Sequence, residues 1–151
     1  MKKKVKKGMC WHEYHRGLIS YCFDPDKRVR DIRKYKPEHE IKPRIKWFRR
    51  VKGKLPDAVV RAAKVFTEAD TAYDNAGATY DNAVAACDRA WAACDKAACD
   101  KAWVAYNKTV AAYDKARAAY EKAIEANKVA IEELHKKECP NCPWNGKELV
   151  F

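Results

Sequence analysis

Two cysteines near the end of the chain have the spacing of half a metal site. In the segment ECPNCPWNG, residues 138–146, Cys139 and Cys142 are separated by two residues and each is followed by proline. A Cys-x2-Cys turn points two thiolates to one side of a short loop, and proline limits the backbone freedom that is lost when metal binds. The pair therefore suits two corners of a tetrahedral zinc site, whose other ligands must come from elsewhere.

Candidates for those other ligands lie at both ends of the chain. His135 precedes Cys139 by one helical turn, and the N-terminal segment MCWHEYHRGLISYC holds four more Cys and His residues. The sequence predicts zinc with ligands drawn from Cys139, Cys142, His135, Cys10, His12, His15 and Cys22. In the alternative, Cys10 and Cys22 are small core residues, the histidines are solvated, and the Cys-Pro turn only ends a helix.

The residues between these two groups form a heptad repeat. The range 57–138 contains 25 alanines, one glycine and no proline, which favours helix throughout. A larger residue recurs every seven positions in two series, of which one includes Phe66, Tyr73, Tyr80, Cys87 and Cys94, and the other Cys99, Tyr106, Tyr113 and Tyr120. Heptads with Tyr, Cys and Ala on one seam predict a coiled coil, in which the three cysteines are packing residues.

The step between the two series, from Cys94 to Cys99, is five residues rather than seven. At roughly 100° per residue, this slip turns the apolar stripe by about 160°. The helix therefore either folds back into an antiparallel hairpin, with Gly77 as a rival bend site, or pairs antiparallel with a second chain. A single long helix that pairs in parallel is the third reading. The first two bring the start of the tract beside its end.

The sequence divides into three predicted regions: a basic head at 1–56, the coiled coil at 57–138, and a Cys-Pro knuckle at 139–151 with a short strand that packs on the head. Together the two ends of the chain are predicted to form a small basic α+β unit. That strand is expected to pair with strands at 18–23 and 44–48, and a helix is expected over 24–37. The fold class is mainly α.

Positive charge is concentrated in the head. Residues 1–56 hold 19 of the 32 Lys and Arg residues but 6 of the 21 acidic ones, so their formal net charge is +13. Such a surface attracts nucleic acid, an anionic membrane surface or an acidic protein. In a nucleic-acid complex, the basic side chains of this region would contact phosphates and the aromatic rings would stack on nucleobases. The candidate contacts are Arg44, Lys46, Trp47, Phe48, Arg49, Arg50, Lys52 and Lys54. Alternatively, this segment is a solvated basic edge with Trp47 in the core.

Three classes of function compete. The first is a zinc-stapled coiled-coil spacer whose basic head docks on an anionic partner, the second is a nucleic-acid-binding protein, and the third is a small zinc enzyme. The spacing His12-Glu13-x-His15 lacks the H-E-x-x-H pattern of zinc hydrolases, so a non-enzymatic role is favoured. The absence of a long apolar stretch favours a soluble cytoplasmic protein, and an odd cysteine number favours reduced thiols over a disulfide framework.

The segments WHEYHRGLISYC and LHKKECPNCPWNGKELVF flank heptads of the Tyr-Asp-Lys-Ala type. This combination resembles uncharacterised heptad-repeat proteins from environmental sequences, which share a His/Cys head and a C-terminal CPxCPW tail. The resemblance spans most of the chain and implies no activity.

Overall fold

The computed structural model describes residues 7–14, 16–89 and 96–151. These residues form five helices and three short strands. In chain order the elements are β1 (Gly8–Trp11), β2 (Ile19–Cys22), α1 (Pro25–Tyr35), α2 (Glu38–Trp47), β3 (Arg49–Arg50), α3 (Asp57–Arg89), α4 (Lys96–Ala126) and α5 (Lys128–Glu138).

The head contains a three-stranded antiparallel sheet with β1 at its centre. Gly8 of β1 lies opposite Cys22 of β2, and Trp11 lies opposite Arg49 of β3. The predicted strand over 18–23 is therefore confirmed as β2. Its partner is β1, however, and not the C-terminal tail that the sequence suggested.

Two short helices follow the first hairpin of the sheet. Asp24 caps α1 by accepting a hydrogen bond from the Lys27 backbone N–H (2.8 Å), which confirms the helix expected over 24–37. The strand predicted over 44–48 is wrong, because α2 runs through Trp47. Pro37 precedes the first turn of α2, and the side chain of Arg44 pairs with Glu40 one turn earlier. These local helix signals explain why the segment is helical.

The long helices α3 and α4 pack against each other as an antiparallel hairpin. Phe66 near the start of α3 stacks on Tyr120 near the end of α4, with ring centroids 5.3 Å apart. Tyr80, farther along α3, contacts Trp103 near the start of α4 at 5.1 Å. The hairpin reading is thus confirmed, and Gly77 lies inside α3 rather than at a bend. The slip at Cys94 falls outside the described residues, and the coiled coil itself stays a prediction.

Two side-chain hydroxyls tie the hairpin to the sheet. Thr67 of α3 donates a hydrogen bond to the Tyr21 carbonyl (3.1 Å), and Tyr120 of α4 donates one to the Ile19 carbonyl. Both acceptors belong to β2. The base of the hairpin is therefore fixed against one strand of the head.

The C-terminal tail turns back on itself. Trp144 pairs with Leu149 in an antiparallel bridge around the Asn145-Gly146 turn, and Gly146 has a φ of 97°. The tail does not pair with β2, so the predicted three-way strand pairing is wrong. Leu149 is buried nonetheless, in a cluster with Trp11, Trp47, Val59 and Ile131. The core of the head is therefore built from both ends of the chain, as the sequence indicated.

None of the helices in the described part of the chain combines the length and the apolar character required to cross a membrane.

Candidate metal centre

The end of α5 and the turn after it supply three potential ligands. His135 and Cys139 are four residues apart, so the helix places both on one face, and the Cys139 N–H donates to the His135 carbonyl at 2.7 Å. The Cys142 N–H then donates to the Cys139 carbonyl at 3.2 Å and closes a tight turn. Asn141 within this turn has a φ of 60°, a left-handed conformation that asparagine tolerates better than most residues.

The fourth potential ligand, His12, comes from the opposite end of the chain. It follows the last residue of β1 and has a φ of 51°, which breaks the alternation of the strand. Its backbone N–H donates to the Leu18 carbonyl at 3.0 Å, which holds this conformation. The imidazole ring consequently lies against His135, with ring centroids 4.9 Å apart.

Nitrogen and sulfur atoms of these four side chains converge. The Nε2 atoms of His12 and His135 are 2.8 Å apart, and Cys142 Sγ is 3.2 Å from His12 Nε2. Ligand atoms of His12, His135 and Cys139 all lie within 4.8 Å of one another. A tetrahedral ion with bonds of about 2.0–2.3 Å holds its ligand atoms roughly 3.3–3.8 Å apart. His12, His135 and Cys139 are therefore close enough to hold a metal ion, and Cys142 lies beside His12 at the same site.

Burial sets the protonation of the group. His12 is 3% exposed and His135 is 7% exposed. Burial and the neighbouring His135 lower the pKa of His12 to about 4, and burial lowers the pKa of His135. Burial and the neighbouring Cys142 raise the pKa of Cys139 to about 11, and burial raises the pKa of Cys142. At neutral pH the metal-free group therefore has neutral imidazoles and protonated thiols, and the thiols must lose protons to bind a metal ion.

Aromatic side chains enclose the two histidines. The Trp11 ring lies 5.2 Å from His135 and the Trp144 ring lies 5.4 Å from His12. His12 Nδ1 is buried and has no hydrogen-bond partner among the described residues. The polar contacts of the His12 ring are therefore made by Nε2, which faces His135 Nε2 and Cys142 Sγ.

The other predicted ligands do not join this group. Cys10 and Cys22 are buried on β1 and β2, where they interact with each other rather than with the histidines. The hydrogen bond to Cys10, burial and the neighbouring Glu13 all raise the pKa of Cys22. The core reading of these two cysteines therefore describes their placement better than the ligand reading. His15 falls outside the described residues.

Glu138, which sequence reasoning missed, braces the centre from one side. Its carboxylate accepts hydrogen bonds from Trp11 Nε1 (2.9 Å), from the Lys52 N–H (3.0 Å) and from the Gly53 N–H. Burial raises the pKa of Glu138, but these bonds outweigh it and the pKa is lowered overall. A carboxylate at the negative C-terminal end of a helix is unfavourable unless it has hydrogen-bond partners. The position of Glu138 at the end of a helix was therefore the sequence signal that could have identified its role.

The basic segment predicted to bind nucleic acid divides into two kinds of position. Trp47 is 7% exposed, with Lys46 Nζ 4.9 Å and the Arg49 guanidinium 5.2 Å from its ring, and Arg44 is buried and paired with Glu40. Phe48 is half-buried. Five members are exposed: Lys46, Arg49, Arg50, Lys52 and Lys54. The segment therefore offers cations to solvent while Trp47 belongs to the head core.

No family model, curated protein or solved structure matches this chain. The functional reading accordingly rests on the geometry of the site.

Proposed function

We propose that His12, His135, Cys139 and Cys142 bind one zinc ion per chain. The support is the mutual proximity of ligand atoms of His12, His135 and Cys139, all within 4.8 Å of one another, together with Cys142 Sγ 3.2 Å from His12 Nε2. A mixed nitrogen and thiolate donor set in tetrahedral arrangement suits zinc, whereas Mg²⁺ and Ca²⁺ require oxygen ligands. His12 and Cys142 are 130 positions apart in sequence, so the ion closes the chain end to end.

Four protein ligands fill a tetrahedral zinc ion and leave no position for a reacting water, which favours a structural role. The head has a thin core, formed by three short strands, short helices and a tail turn. Domains with little core often depend on a metal for stability. Zinc therefore stabilises the head, while the alanine-rich hairpin keeps much of its helical structure without it.

Metal content of the purified chain tests this assignment. We expect about one zinc per chain by native mass spectrometry, and loss of that zinc in Cys139→Ser. Cys22→Ala is the matched control, since Cys22 is an equally buried cysteine of the head that lies outside the group. Full zinc occupancy in the Cys139→Ser/Cys142→Ser double variant would refute the assignment.

We further propose that the zinc-stapled head docks on an anionic partner, with nucleic acid as the favoured candidate. The observation that carries this proposal is the set of exposed cations that runs from the end of α2 through β3 to the segment after it: Lys46, Arg49, Arg50, Lys52 and Lys54. Cations on an extended edge can meet successive phosphates, and such contacts set affinity without reading sequence. The hairpin then acts as a spacer that projects from the bound head.

The burial of Trp47 refines the mode of contact. Because this ring packs in the core beneath Lys46 and Arg49, it does not offer a free face to a base. Phosphate contacts then dominate, and little preference for sequence or for single strands is expected. Trp47→Ala should unfold the head and should not selectively weaken binding to single strands.

Salt-dependent binding to duplex DNA by the zinc-loaded chain tests the docking surface. If the four cations Arg49, Arg50, Lys52 and Lys54 each contact a phosphate, affinity should fall about 10²-fold between 50 and 200 mM salt. Replacing all four by Gln should remove most of that slope. The matched control replaces four exposed lysines of α4 by Gln, namely Lys101, Lys108, Lys115 and Lys122, and should keep the slope. Equal losses in both variants would refute a specific surface, and binding only to anionic liposomes would assign a membrane-surface partner instead.

A further inference from the structure

An open cleft lies between α2 and the C-terminal tail. Its volume is about 580 Å³, which is within the range of about 300–1,000 Å³ that is typical of small-ligand sites. One wall is a face of α2, and the other is formed by Pro143, Val150 and Phe151 of the tail. None of the four proposed zinc ligands lines this cleft, so it is a separate feature of the head.

The turn of the tail fixes the second wall in place. The Val150 N–H donates to the Pro143 carbonyl at 2.9 Å, and the neighbouring Leu149 is buried in the core of the head. Val150 and Phe151 nevertheless stay 54% and 47% exposed. Apolar side chains left exposed beside a cleft indicate a surface on which a ligand can bury them.

The α2 wall carries basic side chains. His39, Lys42 and Lys46 are spaced by three and four residues, so they share one face of the helix, and all three line the cleft. Lys46 is also the first member of the exposed cations proposed above as a docking surface. Among the described residues, no acidic side chain lines the cleft. The docking surface therefore continues along α2 into the cleft.

Together the two walls suit a ligand that carries both a phosphate and a flat apolar ring. Lysine side chains contact phosphates, and an aromatic ring such as that of Phe151 stacks on nucleobases. The Arg44 guanidinium lies over the Phe151 ring, 5.7 Å from its centroid, and helps to hold the ring on the tail wall. A paired base inside a duplex is stacked between its neighbours and cannot enter the cleft, whereas an unpaired base at a strand end can.

We propose that the cleft binds one unpaired nucleotide at the end of a nucleic-acid duplex. This inference rests on the proposed docking of the head on nucleic acid and adds a specificity to it. The duplex phosphates meet the exposed cations around β3, Lys42 and Lys46 contact the backbone of the overhang, and the unpaired base stacks on Phe151. The buried Trp47 takes no part in stacking, so the preference is for an overhanging end and not for long single strands.

Three DNA duplexes that differ only at one end test the proposal with the zinc-loaded full chain. One is blunt, one carries a single unpaired nucleotide, and one carries the same overhang without its base. Because one base stacked on one aromatic ring contributes a factor of about five or more in affinity, we expect the overhang to strengthen binding by at least about fivefold over the blunt end. The abasic overhang should lose most of that gain. Fluorescence anisotropy measures all three affinities.

A pair of matched variants assigns the gain to the cleft. Phe151→Leu keeps an apolar side chain and removes the ring, so it should abolish most of the gain that the overhang provides. Phe23→Leu is the control, because Phe23 is another partly exposed phenylalanine of the head and lines a different cavity. This control should keep the whole gain and the affinity for the blunt duplex.

Photo-cross-linking locates the unpaired base without any variant. The overhang base is replaced by 5-iodouracil, which reacts on irradiation with an aromatic side chain stacked on it, and trypsin cleavage after Lys147 places Phe151 in peptide 148–151. Reducing agents are left out, because Cys87 of α3 is disulfide-bonded and the expectation of reduced thiols fails there. We expect the cross-link in peptide 148–151.

The outcomes separate this inference from the docking proposal on which it rests. Salt-dependent binding with equal affinity for the blunt, abasic and overhanging duplexes would overturn the nucleotide cleft and leave the docking surface intact. Cross-links confined to peptides other than 148–151 would do the same. Failure to bind any of the three duplexes would overturn both proposals.

Discussion

Glu138 offers the sharpest prediction about how the head is held together. Its carboxylate accepts bonds from the Trp11 indole N–H and from the backbone N–H groups of Lys52 and Gly53, and so connects α5, β1 and the segment after β3. Glu138→Gln keeps one acceptor oxygen and replaces the other by a donor. Because a hydrogen bond to a charged group contributes about 1.5–3 kcal/mol, we expect the free energy of unfolding to fall by about 2–3 kcal/mol.

The measurement is urea unfolding of the zinc-loaded chain, followed by tryptophan fluorescence. Glu133→Gln is the matched control, because Glu133 is an exposed residue of the same helix, and it should change stability by less than about 0.5 kcal/mol. The lowered pKa of Glu138 also fixes a pH dependence. Its contribution is present above the unfolded-state pKa and is lost as pH falls through the lower folded-state pKa. A Glu138→Gln variant as stable as the control would refute the bracing role.

Three further predictions concern the metal site and the hairpin. Zinc binding near pH 7 should release about two protons, from Cys139 and Cys142, because their pKa values are raised while His12, with a pKa of about 4, is already neutral; calorimetry in buffers of different ionisation enthalpy measures this, and release of no protons contradicts it. Tyr120→Phe should cost about 1 kcal/mol, since the Ile19 carbonyl loses its donor, and Tyr113→Phe is the control in urea unfolding; equal costs would argue against that bond. Spin labels at Ala62 and Glu132 should report short distances that persist on dilution with unlabelled chain, because the neighbouring Ala63 and Ile131 share the buried cluster; loss of the signal on dilution would indicate pairing between chains instead.

The helical hairpin could be predicted because its signals are local and repeated. The alanine content, the heptad tyrosines and the slip between the two series each act within a few turns of helix. Together they favoured antiparallel packing, either as a hairpin or between two chains, and the structure has the hairpin. The end of the last helix before Pro140 followed equally well from proline chemistry. The strand predicted over 44–48 was wrong because local helix signals decide the structure there as well. Glu40 pairs with Arg44 one turn later, and the helix starts after Pro37.

The sequence could predict that the candidate metal site contains Cys and His ligands, but it could not predict which of the candidate residues come together. Spacing identified Cys139, Cys142 and His135, which share one helix end and its turn. The choice of His12 over Cys10 depends on where β1 ends, because the positive φ at His12 redirects its ring away from the face of the strand. The role of Glu138 depends on the approach of backbone N–H groups more than 80 residues away in sequence, which no local pattern records.

We propose that two imidazoles and two thiolates from distant parts of the chain share one ion. Titration of the metal-free chain with Co²⁺ tests it most directly, since a tetrahedral site with thiolate ligands gives intense visible absorption and thiolate charge-transfer bands. We predict saturation at one Co²⁺ per chain, displacement by zinc, and loss of the tetrahedral spectrum in His12→Ala. Weak octahedral bands, or a tetrahedral spectrum that is unchanged in His12→Ala, would contradict a centre that joins the two ends of the chain.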